Sequence, residues 1–325
     1  MRTLITGGAG FIGLNLVQTL IKEEPKELIV CIDNLTYASN ESEIRSINSP
    51  NFEFIKLDIC DQKKVFDLFS EFNFNCVIHL AAESHVDNSI LDPLRFAQTN
   101  VLGTLNLLEA CRKFWINDDK NIFYHISTDE VFGSIEDGSF SHNSCYNPRS
   151  PYSASKASSD HFVKSYFFTY GLATIISNCS NNYGPYQNDE KFIPTIIRSI
   201  VRNKSIPVYG KGHNVRDWLH VLDHVKAINL IRKNGSIGNV YTIGGDNEIS
   251  NLELVKTLIQ IVDEKLGNPE GHSNELISFI KDRQGHDLRY SIDHSKLSNE
   301  MQWSPLIEFR LGLESTVDFY INKYA

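Results

Sequence analysis

The chain has 325 residues, enough for one large domain or two closely packed ones around a sizeable core. Its 41% hydrophobic and 22% charged residues are ordinary for a soluble globular protein, and a net charge of −9 argues against a nucleic-acid binder, which needs a basic surface. No run of about 18 apolar residues reads as a membrane segment, and the opening residues enter a strand pattern without signal-peptide form, so a cytoplasmic protein with no membrane partner is expected.

Residues 3–6 form an apolar run ending in a glycine cluster, and residues 11–22 then show helical periodicity. Further β-branched runs fall at 28–32, 52–57, 76–80 and 122–127, with helical patterns at 63–72 and 93–114. Strands apolar on both faces and joined by helices predict an α/β fold, a doubly wound parallel Rossmann sheet. A long helix is expected at 152–170 and a strand at 173–177. The stretch 181–212 is rich in Asn, Gly and Pro around one helix at 194–203, and residues 218–231 and 240–243 read as a return to the sheet. A helix at 251–266, a short strand at 277–281 and a closing helix at 311–324 follow. The expected division is a Rossmann domain of residues 1–178 plus 216–245, with a smaller mixed α/β lobe of residues 179–215 plus 246–325.

The six cysteines fall singly, without a C-x-x-C pair, and read as reduced thiols. The eleven histidines show no metal-ligand spacing, so no metal is expected.

Gly7, Gly10 and Gly13 give G-x-x-G-x-x-G between a strand and a helix, with Phe11 and Ile12 inside the motif. Such glycines allow a tight turn, close approach of a pyrophosphate and tight helix–sheet packing. Alone, the triad fits a ligand-free turn as well. Asp33 follows 20 residues after Gly13, where a carboxylate accepts both adenosine ribose hydroxyls and repels a 2′-phosphate, favouring NAD over NADP. Asp58 with Ile59, and Ala81-Ala82-Glu83-Ser84, stand at strand carboxyl ends, where open α/β sheets bind ligands.

Tyr152 and Lys156 form Y-x-x-x-K at the start of a helix, on one face. A free phenol titrates near 10; a nearby ammonium and a positive nicotinamide favour its phenolate. In isolation the pair is equally an ordinary solvated one. It lies about 25 residues after a strand ending in Ser127-Thr128-Asp129-Glu130. Thr128 is placed to donate to a sugar oxygen under oxidation. Two consecutive acids at a sheet's carboxyl edge can stay one protonated and one ionised, which elimination of water needs and oxidation alone does not.

Together these motifs resemble the extended short-chain dehydrogenase/reductases. Over nearly the whole chain the sequence is similar to the dTDP-glucose 4,6-dehydratase family within them, through Asp33-Asn34-Leu35-Thr36-Tyr37-Ala38, Ala81-Ala82-Glu83-Ser84-His85-Val86-Asp87, Cys179-Ser180-Asn181-Asn182-Tyr183-Gly184-Pro185-Tyr186, Arg216-Asp217-Trp218 and Arg283-Gln284-Gly285-His286-Asp287. The resemblance implies three stages. Tyr152, assisted by Thr128 and Lys156, takes the C4 hydroxyl proton as C4 is oxidised by NAD; Glu130 takes the C5 proton while Asp129 protonates the departing C6 hydroxyl; C6 is then reduced. It further implies that Asn34, Leu35, Thr36, Leu80, Ser84, Thr99 and Asn182 join the NAD site. Ser84, Thr128, Asn181, Lys191, Phe192, Pro207, Tyr209, Arg216, Asn251, Arg283 and His286 would hold the nucleotide sugar. Two departures stand out: Phe132 where the family usually has Tyr, and Gln284 in place of a common Pro. The family is usually a homodimer through the helices at 93–114 and 152–170. Rival readings are a UDP-glucose 4,6-dehydratase, a UDP-sugar 4-epimerase or UDP-glucuronate decarboxylase, whose relatives usually lack the paired acid, and a non-catalytic NAD-binding sensor, which commonly loses Tyr or Lys of the pair.

Overall fold

The computed structural model describes residues 1–115 and 121–324; positions 116–120 and 325 of the expected division lie outside them. Among the described residues twelve strands are formed by Arg2–Thr6 (β1), Leu28–Asp33 (β2), Phe52–Lys56 (β3), Cys76–His79 (β4), Ile122–Thr128 (β5), Thr174–Cys179 (β6), Asn181–Tyr183 (β7), Ile206–Tyr209 (β8), Val215–His220 (β9), Val240–Ile243 (β10), Glu248–Ser250 (β11) and Ile277–Ile280 (β12). Seven make an all-parallel sheet in the order β10-β6-β5-β4-β1-β2-β3. β4 and β6 are buried along their whole length, as the continuous apolar runs require of strands covered on both faces. Strand order reverses between β1 and β4, which opens a crevice at the carboxyl ends of these strands.

The helix Pro151–Tyr170 shows how local sequence sets an element. Ser150 caps it by accepting from the Ser153 amide at 3.0 Å, Pro151 opens the first turn, and Gly171 closes it with a left-handed φ of +67°. The pattern at 93–114 does not form one α-helix: Pro93–Phe96 and Thr104–Phe114 flank a π-helical stretch, Ala97–Gly103. Within it Asn100 donates to the Glu83 carbonyl at 3.0 Å and to the Ser155 hydroxyl at 2.8 Å, tying this helix to the one bearing Tyr152.

Outside the main sheet, β7, β9 and β11 form a three-stranded sheet, and β8 pairs in parallel with β12. These pack with helices Phe192–Val201, Asn251–Leu266 and Phe309–Tyr324 around Ile193, Ile197, Leu254, Leu258, Leu313 and Val317. The expected return to the main sheet at 218–231 is corrected in part. β9 joins the small sheet, while the helix after it, Val221–Asn234, packs its Val225 and Ile228 with Leu14 and Val17 of helix Phe11–Glu23. No described helix is long and apolar enough to cross a membrane.

Candidate active site

A continuous cavity of about 710 Å³ lies over the carboxyl ends of the main sheet and reaches under β8 and β9. Every residue that the sequence analysis named for catalysis, cofactor or substrate lines it, except Leu35. Leu35 has a φ of +56° and turns its side chain onto the apolar core behind the sheet, so at that position only its backbone stays near the cavity.

At one end the glycine turn meets the sheet. A Cβ on Gly7 would stand 2.6 Å from the Ala81 nitrogen, and one on Gly13 would stand 2.2 Å from the Gly7 carbonyl oxygen. Both neighbours are backbone and cannot give way. Replacing Gly13 by Ala is therefore expected to push helix Phe11–Glu23 off the turn, at about 1–3 kcal/mol for overpacking, and a scan of thermal unfolding will register a lower Tm. Gly10 caps that helix without a side-chain acceptor, and its first turn holds no acid, so its amides suit an anion. Asp33 accepts from the Ala9 amide at 3.0 Å through Oδ2 and from the Leu35 amide at 2.8 Å through Oδ1. Each oxygen keeps a further lone pair for a diol. Asn34 donates to Asp58 at 2.9 Å, which closes this end.

The residues expected to carry the chemistry meet where β5 ends. Thr128 donates to Asp129 Oδ1 at 3.3 Å and accepts from the Glu130 amide at 3.3 Å, so the tight turn Asp129–Phe132 aims both acids inward. Asp129 is 2% exposed, and its Oδ2 has no partner among the described residues. Burial, and next the charge of Glu130, push Asp129 well above the usual carboxylate range. Burial also raises Glu130, but the charges of Arg283, Arg216 and Lys191 oppose it. The two neighbouring acids thus sit in unlike fields: both are raised, Asp129 well above its ordinary range, while three cations hold back the rise on Glu130.

Tyr152 and Lys156 are both buried on the inner face of their helix. The depression of Tyr152 expected from its lysine is not what the side chains produce. Burial, and then the charge of Glu130, push the phenol well above its ordinary value, with the Thr128 hydroxyl opposing. Lys156 itself is lowered to about 8 by burial, and its ammonium donates to the Ile126 carbonyl at 2.8 Å.

The other end carries the cations. Arg216 is 4% exposed, donates to the Asp287 carbonyl at 3.0 Å and stacks 4.2 Å from the centre of the Tyr290 ring. Lys191 donates to the Ser84 carbonyl at 3.0 Å, and Arg283 lies 3.9 Å from Asp87, which also accepts from Tyr209 at 3.1 Å. His286 contacts Asp282 at 2.6 Å. Asn181, Phe192, Pro207 and Asn251 complete the wall. Sequence reasoning missed Glu190 and gave Asp87 no role, though both stand next to or within motifs it had marked. Phe132 lies outside the cavity wall, stacked on Phe140 at 5.2 Å in a small satellite core, so the departure from Tyr takes no hydroxyl from the site.

The doubly wound sheet, the glycine turn and the Tyr-Lys pair under a Thr-Asp-Glu turn define an extended short-chain dehydrogenase/reductase. Residues 4–316 match the family model described as GDP-mannose 4,6 dehydratase. The dTDP-glucose 4,6-dehydratase of Haemophilus influenzae is 46% identical over 332 residues, covering 99% of this chain and 98% of that protein. The crystal structure of DesIV, a dTDP-glucose 4,6-dehydratase from Streptomyces venezuelae solved with NAD and dTDP bound, superposes with a TM-score of 0.91 at 39% identity, covering 99% of this chain and 97% of that one. A UDP-glucose 4-epimerase from Thermotoga maritima shares the fold at 27% identity, with a TM-score of 0.87 and 99% of each chain covered. The chain belongs to the dTDP-glucose 4,6-dehydratase family.

Proposed function

We propose that this chain converts dTDP-glucose to dTDP-4-keto-6-deoxyglucose and water, using NAD held in the crevice of its main sheet. The observation that carries the reading is the pair Asp129 and Glu130: neighbouring acids at the strand end, both raised by burial, Asp129 well above its ordinary range and Glu130 held back by Arg283, Arg216 and Lys191. Hydride exchange alone calls for neither.

The residues fit NAD. The turn has no room for a Cβ at Gly7 or Gly13, Asp33 keeps two free lone pairs, and the small side chains of Ala81 and Ala82 line the crevice. Held there, NAD would supply a hydride acceptor for C4 of the sugar and a hydride donor for C6, with no net redox change. Tyr152 takes the proton of the C4 hydroxyl, with Thr128 donating to the same oxygen and Lys156 supplying positive charge nearby. Glu130 removes the C5 proton, which the new ketone acidifies, and Asp129 gives its proton to the leaving C6 oxygen. Glu130 then returns its proton to C5. Counting protons, Tyr152 ends the cycle with one more and Asp129 with one fewer. The Thr128 hydroxyl, 3.3 Å from Asp129 and able to bond Tyr152, offers the shortest return path. Arg216 and Arg283 face the diphosphate, as planar multidentate cations do. Ser84, Asn181, Lys191, Phe192, Pro207, Tyr209, Asn251 and His286 hold the rest of the substrate.

The reading includes a homodimer through the helices over 93–114 and Pro151–Tyr170, supported by Leu94, Leu102 and Phe168, which are 73%, 54% and 80% exposed.

The test incubates the purified chain with dTDP-glucose or UDP-glucose, without added NAD, and follows product by mass and by the absorbance of a 4-keto-6-deoxy sugar in alkali. Loss of one water from dTDP-glucose alone is expected. Equal or greater loss from UDP-glucose overturns the substrate, and no loss from either, with NAD then supplied, overturns the activity.

A further inference from the structure

Beneath the catalytic face lies a carboxylate that the reaction does not touch. Asp160 is fully buried one helical turn beyond Lys156. Its Oδ2 accepts from Ser127 at 2.9 Å, Tyr146 at 2.8 Å and Asn178 at 3.2 Å, and its Oδ1 lies 3.2 Å from His125 Nε2. The same His125 nitrogen stands 3.4 Å from the Lys156 ammonium. His125 is fully buried, and its Nδ1 has no partner among the described residues. The neutral ring thus stands between the carboxylate and the ammonium, its Nε2 within reach of both.

Resting on the dehydratase reading above, we propose that Asp160 is a positioning residue for the reaction: the fixed counter-charge, set behind His125, that keeps Lys156 cationic beside Tyr152. The chemistry requires it. Lys156 sits in a space that disfavours its charge and finds one carbonyl there, that of Ile126, at 2.8 Å. A neutral lysine cannot stabilise a phenolate on Tyr152. Three hydroxyl or amide donors on one carboxylate oxygen fix the negative charge of Asp160 without any Arg or Lys in ion-pair contact among the described residues, which leaves its field free to act on Lys156. Its titration agrees. Burial would raise Asp160, but His125, Lys156 and Tyr146 hold it below its ordinary value.

The groups facing Lys156 can be named from every side. Its own helix brings Tyr152 and Asp160, β5 brings His125, β6 brings Cys179, and β4 brings His79 behind His125 at a ring distance of 5.1 Å. His125 is lowered to about 4 by burial, and His79 well below its ordinary value, so both are neutral at pH 7. Cys179 is raised to about 12 by burial and is neutral as well. Among the described residues Asp160 is the one fixed anion behind the lysine.

The sign follows. Removing an anion near an ammonium lowers the pKa of that ammonium, so Lys156 loses its proton earlier as pH rises. With Asp160→Asn the alkaline limb of kcat/KM for dTDP-glucose is expected to move about one to two pH units lower, with KM within about twofold. Asp160→Glu, which keeps the charge, is expected to restore part of the shift. Tyr146→Phe, which removes a bond to Asp160 and leaves its charge, is expected to move the limb little. A merely structural role would instead lower activity evenly across pH and make Tyr146→Phe behave like Asp160→Asn.

Lys156 is also read without turnover, by the pH midpoint of its acetylation with acetic anhydride, quantified by mass spectrometry on the full chain supplied with NAD. A lower midpoint in Asp160→Asn supports the proposal; an unchanged midpoint overturns it, whatever the turnover shows. If the unsubstituted chain removes no water from dTDP-glucose while the midpoint still falls in the variant, the activity reading fails and the Asp160–Lys156 coupling stands.

Discussion

Replacing Glu130 by Gln is expected to lower turnover of dTDP-glucose by about 10²–10⁴-fold, the range for losing a general base, while C4 oxidation continues. Glutamine fills the same volume and still meets the Ser153 hydroxyl, which donates to Glu130 at 3.3 Å, so the turn after β5 keeps its shape. What disappears is the acceptor for the C5 proton. In deuterated water the variant should place no deuterium at C5, lose no C6 oxygen and build up reduced-nicotinamide absorbance on mixing with substrate. Asp129→Asn makes the complementary case. It leaves Glu130 as base, so deuterium should still exchange into C5, but the C6 hydroxyl has no acid and water loss should fall over a similar range. The two variants separate base from acid although the residues are adjacent. If Asp129→Asn loses C5 exchange and Glu130→Gln keeps it, the roles are reversed; if neither substitution moves water loss, the acids serve only the architecture of the turn.

The unlike fields on these acids show where sequence reading succeeds and where it stops. The tetrapeptide Ser127-Thr128-Asp129-Glu130 could be located from its place after a continuous apolar run, because strand carboxyl ends in a parallel sheet converge on one crevice. Which acid holds the proton could not be read. It depends on Arg216 in β9 and on Lys191 and Arg283 in other segments, each more than 60 residues away along the chain. The Tyr152–Lys156 pair teaches the same lesson from the other side. Their i, i+4 spacing put both on one helix face, yet the spacing said nothing of burial, which lifts the phenol and lowers the ammonium against the attraction between them. Leu35 failed for a backbone reason: a positive φ turns its side chain into the core, and nothing in a Leu predicts that conformation. The π-helical stretch at Ala97–Gly103 was equally hidden, since its periodicity suits an ordinary helix and the bonds of its Asn100 run to Glu83 and Ser155, distant in sequence. Residues 218–231 read as a return to the main sheet, but β9, a short buried strand, carries no label for which sheet it joins.

Tyr152→Phe is expected to stop the cycle before Glu130 has work to do. The ring lies edge-on to Phe96 with centroids 6.3 Å apart, and a phenyl group keeps that packing, so folding should survive the loss of one hydroxyl. Activity should not. Without the phenolate no group accepts the C4 hydroxyl proton, the ketone does not form, and the C5 proton stays too weakly acidic for a carboxylate to remove. Turnover should drop by about 10²–10⁴-fold or more, again on the scale of a lost general base. Mixed with substrate, this variant should show neither reduced-nicotinamide absorbance nor C5 deuterium, whereas Glu130→Gln shows the first and Asp129→Asn both. The pH profile adds a sign. Burial and Glu130 hold the phenol above its ordinary value without cofactor, so its ionised fraction grows as pH rises, and that dependence should be missing from whatever activity the variant retains. Should Tyr152→Phe still wash deuterium into C5, the first proton goes elsewhere. Thr128, whose hydroxyl donates to Asp129, is then the residue to replace next, because that hydroxyl lines the cavity and can pass a proton.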